Sequence, residues 1–148
     1  MFQIKRLILF TCLLMSSAAM AQKDPLERTW FNAEQTSKIQ IYKGSDGKFY
    51  GKIVWLKSPL KNNKPKLDEE NPKKELRTQP ILNLIILRSF IRSKDDSNEY
   101  EGGTVYDPNN GKTYCGKLTL KGNELKLRGY LCSLGSWFGR SSTWKAAE

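Results

Sequence analysis

The chain of 148 residues contains no histidine at all. That absence excludes Ser-His-Asp and Cys-His catalysis, histidine-ligated zinc or copper, and haem held by a histidine. Cysteine is scarce as well, at three residues, of which Cys12 lies in the first apolar stretch. The two others, Cys115 and Cys132, cannot by themselves build a four-thiolate zinc site, so neither metal nor cofactor is expected. Sustained helical periodicity is missing, and so is any internal repeat. Beyond Met15 no apolar run is long enough to span a bilayer: Ile81 to Leu87 is interrupted by Asn83 and stopped by Arg88.

The amino terminus supplies the first positive signal. Met1-Phe-Gln-Ile-Lys-Arg6 is short and basic, Leu7 to Met15 is apolar, and small residues at Ala19 and Ala21 follow. This is the pattern of a secretory leader, with cleavage expected after Ala21 and Cys12 leaving with it; a retained anchor is the alternative. Residues 22–148 then form one domain of 127 residues, periplasmic or secreted, without a transmembrane span. Without Lys5 and Arg6 there remain 23 basic and 15 acidic residues, a net +8. That charge suits anionic envelope lipids or polysaccharides, export makes nucleic acid an unfit partner, and solubility alone would also account for it.

The mature part punctuates itself into strands. Lys38 to Lys43 alternates polar with apolar residues, Gly44-Ser-Asp-Gly47 turns, and Lys48 to Leu56 returns as the partner strand. Ser58 to Pro80 carries Pro59, Pro65, Pro72 and Pro80 among many lysines, which predicts an extended loop with at most one helical turn near Pro72 to Leu76. Ile81 to Ile91 fits a buried strand or a short helix. Tyr100 to Tyr106, Lys112 to Lys121, Glu124 to Cys132 and Arg140 to Lys145 complete about eight strands. Consecutive hairpins of this kind avoid open edges by closing, so the expected fold is all-β, a single small antiparallel barrel of the up-and-down type.

Several constellations invite chemistry. Cys115 and Cys132 are expected to pair in an oxidising compartment, although pairing Leu120 with Leu125 sets them diagonally and requires a bulge or register change. The turn Asp107-Pro-Asn-Asn-Gly-Lys112 lacks the downstream glutamate of a calcium loop. Asp68, Glu69 and Glu70 stand together in the lysine-rich loop and are expected to be solvated. Trp30, Trp55, Tyr106, Tyr114 and Trp144 are candidates to line an internal pocket, against the plainer role of core packing. Arg128 falls on a polar strand face, and Arg140 is placed to stack on Trp30 where the first and last strands meet.

Taken in order, Gly51-Lys-Ile-Val-Trp55, Lys66-Leu-Asp-Glu-Glu-Asn-Pro72 with Arg77, Gly102-Gly-Thr-Val-Tyr-Asp-Pro108, Gly111-Lys-Thr-Tyr114, Leu127-Arg-Gly-Tyr130 and Gly139-Arg-Ser-Ser-Thr-Trp144 resemble the exported bacterial proteins grouped as domain of unknown function 2147. The resemblance covers nearly the whole mature chain. It implies a lipocalin-like barrel and carries over no catalytic residue. Asn83 stands where the pattern leads one to expect glycine, and Arg28-Thr29-Trp30 replaces the glycine-x-tryptophan start of lipocalins.

Three functions follow as expectations. The first is a non-enzymatic carrier of a small apolar or amphipathic molecule, since an eight-stranded barrel has room for one. The second is an envelope-binding module in which Lys57, Lys61, Lys64, Lys66, Lys73, Lys74 and Arg77 contact anionic lipid or polysaccharide. Lys57 to Lys94 holds ten basic and four acidic residues. The third is an enzyme built on Glu101, Asp107 and Tyr106.

Overall fold

The structure is a computed structural model that describes residues 22–147. The expected leader, residues 1–21, lies outside the described residues. Ten strands are present among the described residues, β1 (Thr29–Phe31), β2 (Ser37–Lys43), β3 (Phe49–Leu56), β4 (Leu60–Lys61), β5 (Lys64–Pro65), β6 (Ile85–Arg92), β7 (Glu99–Asp107), β8 (Lys112–Lys121), β9 (Glu124–Tyr130) and β10 (Gly139–Ala146). Eight of them close into an antiparallel barrel in the order β1-β10-β9-β8-β7-β6-β3-β2, and β4 and β5 form a small ribbon in the long loop. Each barrel strand neighbours its sequence neighbours, and the seam joins β1 to β10 through Trp30 opposite Ala146 and Phe31 opposite Lys145. No helix among the described residues is long and apolar enough to cross a membrane.

The alternation visible in the sequence is the alternation of the wall. In β2, Ile39 and Ile41 point to the core while Gln40 faces out; in the β8–β9 hairpin, Leu118 opposes Leu127 and Leu120 opposes Leu125. The hairpin turns on two residues, with Gly122 at φ 59° supplying the positive dihedral that tight connections need. Ile81 to Ile91, which fitted a strand or a helix, is a turn followed by β6. Asn83 adopts φ 70° there, and its amide donates to the Ile53 carbonyl at 2.7 Å. A left-handed conformation explains why glycine is suited to this place, and asparagine is among the few other residues that adopt it at small cost.

The two ends of the barrel are unlike. At one end the interior is filled by Phe49, Phe90, Tyr100, Leu118 and Leu125, and Phe49 meets Tyr100 edge-on with ring centroids 5.2 Å apart. Gly103 and Gly116 face each other across β7 and β8, and a Cβ on either would run into the Phe90 ring; the paired glycines are the space the ring occupies. The segment before β1 closes this end as a floor. Leu26 is fully buried and accepts a hydrogen bond from Trp30 Nε1 at 3.1 Å. Asp24 accepts from the Tyr100 hydroxyl at 2.6 Å and from Arg92 at 2.7 Å. Trp30 is stacked by Arg28, 5.9 Å from its ring, rather than by Arg140, which lies at the other end.

Two further expectations change. The loop from Ser58 to Pro80 holds the one expected helical turn, a 3-10 turn at Lys74–Leu76, but is otherwise an organised strap: Ile81 N donates to Lys66 O, Lys66 N to Pro59 O, and Asp68 N to Gln79 O. The disulfide Cys115–Cys132 forms with Cα atoms 5.1 Å apart, and without a shift in the hairpin register. Strand β9 ends at Tyr130, opposite Cys115, and the chain then turns through Leu131 to Leu134, which carries Cys132 back to its partner. The diagonal geometry assumed that the strand ran on to Cys132. A disulfide fits an oxidising, extracytoplasmic compartment.

Candidate functional site

Where the filled half of the barrel stops, a cavity of about 810 Å³ opens towards the opposite end. Its depth is apolar, made by Ile39, Ile53, Ile86, Val105, Leu127 and Trp144, one or more from almost every wall strand. These are the inward positions of β2, β3, β6, β7, β9 and β10, so the same period-two pattern that builds the core also builds the pocket. The rim is polar: Asn32, Ser37, Lys112, Tyr114, Arg140 and Ser142 stand there with Glu34 and Asp107. A smaller hollow of about 220 Å³ adjoins it between the barrel and the strap, sharing Asn32, Ser37, Ile53, Pro108 and Asn109 and adding Lys57 and Lys66.

The rim is held by its own hydrogen bonds. Asn32 Oδ1 accepts from the amides of Thr36 and Ser37 at 2.8 and 2.9 Å, which shapes the β1–β2 turn. Asp107 accepts from the side chains of Asn109 and Asn110 at 3.0 and 2.9 Å, and Asn110 also reaches the Tyr114 hydroxyl. The Asp107 turn is therefore bonded within itself, and among the described residues no group of three or more potential ligands gathers to hold a metal.

Asp68 is the residue that sequence reasoning placed wrongly. It is 0 % exposed, against the expectation of a solvated carboxylate. Tyr106 donates its hydroxyl to Oδ1 at 2.7 Å and Asn71 its amide to Oδ2 at 2.7 Å, while Arg77 Nε holds the Asn71 carbonyl at 2.7 Å. Close by, Gly111, at φ 68°, lets the Glu70 carbonyl approach where any Cβ would collide with it. Together these contacts pin the strap to the β7–β8 end of the barrel. Asp-x-x-Asn spacing hints at the local turn, but the Tyr106 partner lies 38 residues away and no local pattern announces it. Tyr106 thus bonds Asp68 and not Asp107, and Glu101 is exposed on the outer wall, so the three groups considered for catalysis do not meet.

Of the aromatic candidates, Tyr106, Tyr114 and Trp144 border the cavity. Trp30 belongs to the filled end. Trp55 stands outside, edge-on to Phe31 at 6.0 Å, with Lys38 Nζ 4.8 Å from the Phe31 ring and 5.5 Å from its own. Among the basic candidates, Lys66 borders the smaller hollow with Lys57, Lys61 is paired with Glu69, and Arg77 is engaged inside the strap. Lys64, Lys73 and Lys74 are exposed. Arg128, expected in solvent, is half-buried, and it donates to the carbonyls of Ser136 and Trp137 at 2.7 and 3.1 Å.

The two tyrosines that anchor carboxylates hold their protons tightly. Burial first, and then the hydrogen bond to Asp24, pushes the Tyr100 phenol far above its ordinary value; burial and then Asp68 act the same way on Tyr106. In the unfolded chain both phenols ionise near pH ~10, while the folded chain keeps its protons, so the unfolded state binds fewer. Stability present below that pH is expected to fall as pH rises through it, by at most about 1.4 kcal/mol per pH unit for each phenol, and by less at the part-exposed Tyr106. Urea unfolding on either side of that pH should show the slope, and Tyr100→Phe should flatten it. An unchanged slope in that variant would contradict the assignment.

Among solved structures, a protein of Helicobacter pylori, HP1028, described as belonging to the lipocalin family, superimposes with a TM-score of 0.70 at 24% identity, over 83% of this chain and 83% of that one. At that identity the likeness speaks for the fold: a closed eight-stranded lipocalin-like barrel. No curated protein matches. The family model described as "Uncharacterized protein conserved in bacteria (DUF2147)" matches residues 29–146, from the first strand to the last, and the chain belongs to that family.

Proposed function

We propose that the protein is a non-enzymatic binder or carrier of one small apolar or amphipathic molecule, held in the open half of the barrel and serving in the bacterial envelope. The observation that carries this reading is the cavity itself. Its volume of about 810 Å³ falls in the range of small-molecule sites, roughly 300–1,000 Å³, and its apolar depth beneath a polar rim is the usual make-up of such sites. An amphipathic guest would lay its tail against Ile39, Ile86, Leu127 and Trp144 and leave its polar end near Lys112 and Arg140, or near Lys57 and Lys66 in the adjoining hollow. A lipocalin-like barrel accords with binding, and Lys112 and Arg140 offer cations to an anionic head on a rim that also carries Glu34 and Asp107.

The test uses a fluorescent long-chain acyl probe. The purified protein is expected to bind it, and Ser142→Trp, which places an indole into the cavity from a half-buried wall position, is expected to weaken binding about tenfold or more by filling the space the guest needs. Circular dichroism should stay unchanged. Equal probe affinity in Ser142→Trp, or native mass spectrometry showing that no acyl compound enters the wild type, would end the carrier reading.

A second reading is favoured by one observation. Lys57, Lys64, Lys73 and Lys74 are exposed on the strap and form no ion pair among the described residues. They would serve as a contact for anionic lipid or polysaccharide, with binding that weakens steeply as salt rises.

A further inference from the structure

We propose that the loop from Leu131 to Phe138 is a bilayer-contact element that seats the cavity mouth on an anionic membrane surface. Four large apolar side chains in eight residues face solvent: Leu131, Leu134, Trp137 at 90% exposure and Phe138 at 74%. Isolated exposed apolar residues are ordinary, but a cluster of this size on one loop marks a contact surface.

The loop is built to present them. It is fastened by the Cys115–Cys132 disulfide and by the Arg128 guanidinium on the carbonyls of Ser136 and Trp137, and Arg128 Nη1 also donates to the Ser141 hydroxyl on β10 at 3.3 Å. The side chains are left outside while the main chain is tied down. A loop that had simply failed to pack would show no such investment of a charged side chain and a covalent link.

Charge selects the occupant. On the two strands that carry the loop, Arg128 and Arg140 lie at the loop end, whereas Lys126 and Lys145 stand towards the far end, where Lys145 faces Glu124. Among the described residues the contacts of Arg128 are carbonyls and a hydroxyl and no carboxylate, which leaves its charge beside the apolar tip. Tryptophan and phenylalanine beside free cations are the composition that partitions into the headgroup layer of an anionic membrane. A second copy of the chain is a poorer fit, because an eight-residue tip is small beside the ~800 Å² that each partner of a stable complex buries.

Position gives the contact its use. Leu131 and Phe138 border the cavity, and Arg140 stands on its rim. A bilayer met by this loop lies against the opening through which an apolar guest would pass. The contact itself does not rest on the carrier reading, since vesicle binding reports it whether or not the barrel loads.

The purified protein is mixed with vesicles of phosphatidylethanolamine and phosphatidylglycerol, and in parallel with phosphatidylcholine alone. Retention on the first, weakened by salt, is expected, with little on the second. Leu134→Ser with Trp137→Ser, both outside the cavity wall, should lower retention about tenfold or more while the acyl probe still binds. Lipids brominated in their acyl chains should quench tryptophan fluorescence in the wild type and much less in Trp137→Phe. Wild-type retention in the Leu134/Trp137 variant overturns the proposal. So does loss of retention only in Lys57→Glu, Lys64→Glu, Lys73→Glu, which assigns the contact to the strap. A concentration-dependent dimer abolished by the Leu134/Trp137 variant, with no vesicle binding, assigns the tip to a second copy and overturns it as well.

Discussion

Asp68→Ala is expected to destabilise the protein by about 2–4 kcal/mol, because it removes the acceptor of a buried and a part-buried donor at once. The Tyr106 hydroxyl and the Asn71 amide would each face an unfilled place, and each buried unsatisfied group costs roughly 1–3 kcal/mol before the structure relaxes. Relaxation here means release of the strap, since the backbone bond from Asn71 N to Asp68 O survives the substitution but the tie from the strap to Tyr106 does not. Urea unfolding should record the loss, and amide exchange should accelerate across residues 58–80 more than in the barrel strands. Asp68→Asn is expected to cost less. Its oxygen can still accept from the Asn71 amide, whose own Oδ1 is held by the Lys73 N–H, and its NH2 can turn to the Tyr106 hydroxyl, which accepts as well as donates. A loss below about 0.5 kcal/mol in the alanine variant, the range of ordinary surface changes, would mean that the buried carboxylate does not hold the strap.

The second large effect belongs to the disulfide. Cys115 and Cys132 enclose a 17-residue separation, and constraining a loop of that length in the unfolded chain is worth about 3 kcal/mol. Cys115→Ser with Cys132→Ser is therefore expected to lower the melting temperature by roughly 10 °C in a domain of this size. The barrel strands keep their register in the variant, because the hairpin from Cys115 to Tyr130 is paired throughout without help from the sulfur atoms. What loosens is the segment after Tyr130, so amide exchange at Leu131 to Phe138 should rise most. Uniform acceleration over the whole sheet would show that the bond supports the wall itself.

Both effects bear on what the sequence makes legible. The barrel is written in local terms: Lys38 to Lys43 alternates, Gly122-Asn123 turns, and Leu118 and Leu127 fall opposite each other by counting from that turn. Period-two patterning and turn residues act over a few positions, and a reader of residues sees them directly. Strap and site obey other rules. Asp68 sits between Leu67 and two further acids in a lysine-rich stretch, which locally describes a solvated charge. Its burial is decided by Tyr106 and by the backbone of Gln79, contacts that only the closed fold creates. Trp55 shows the same limit from the other side. Its strand is correct, but the irregular pairing of β2 with β3 between Lys38 and Ile39 lies beside it, and a shift of one residue exchanges inside for outside. The Cys132 case is a matter of where a strand stops, and strand ends are set by competition between the sheet and the turn that follows.

The seam between β1 and β10 has a bearing on how the molecule comes to exist. Trp30 and Ala146, which meet there, are on the order of a hundred residues apart in the chain, and contacts of such span are the slow ones in folding. The cylinder cannot be completed from either end of the polypeptide alone. While the chain is still emerging, its early strands have a bare flank and wait for the final one, so the architecture favours folding after the chain is whole over folding piecemeal as it is made.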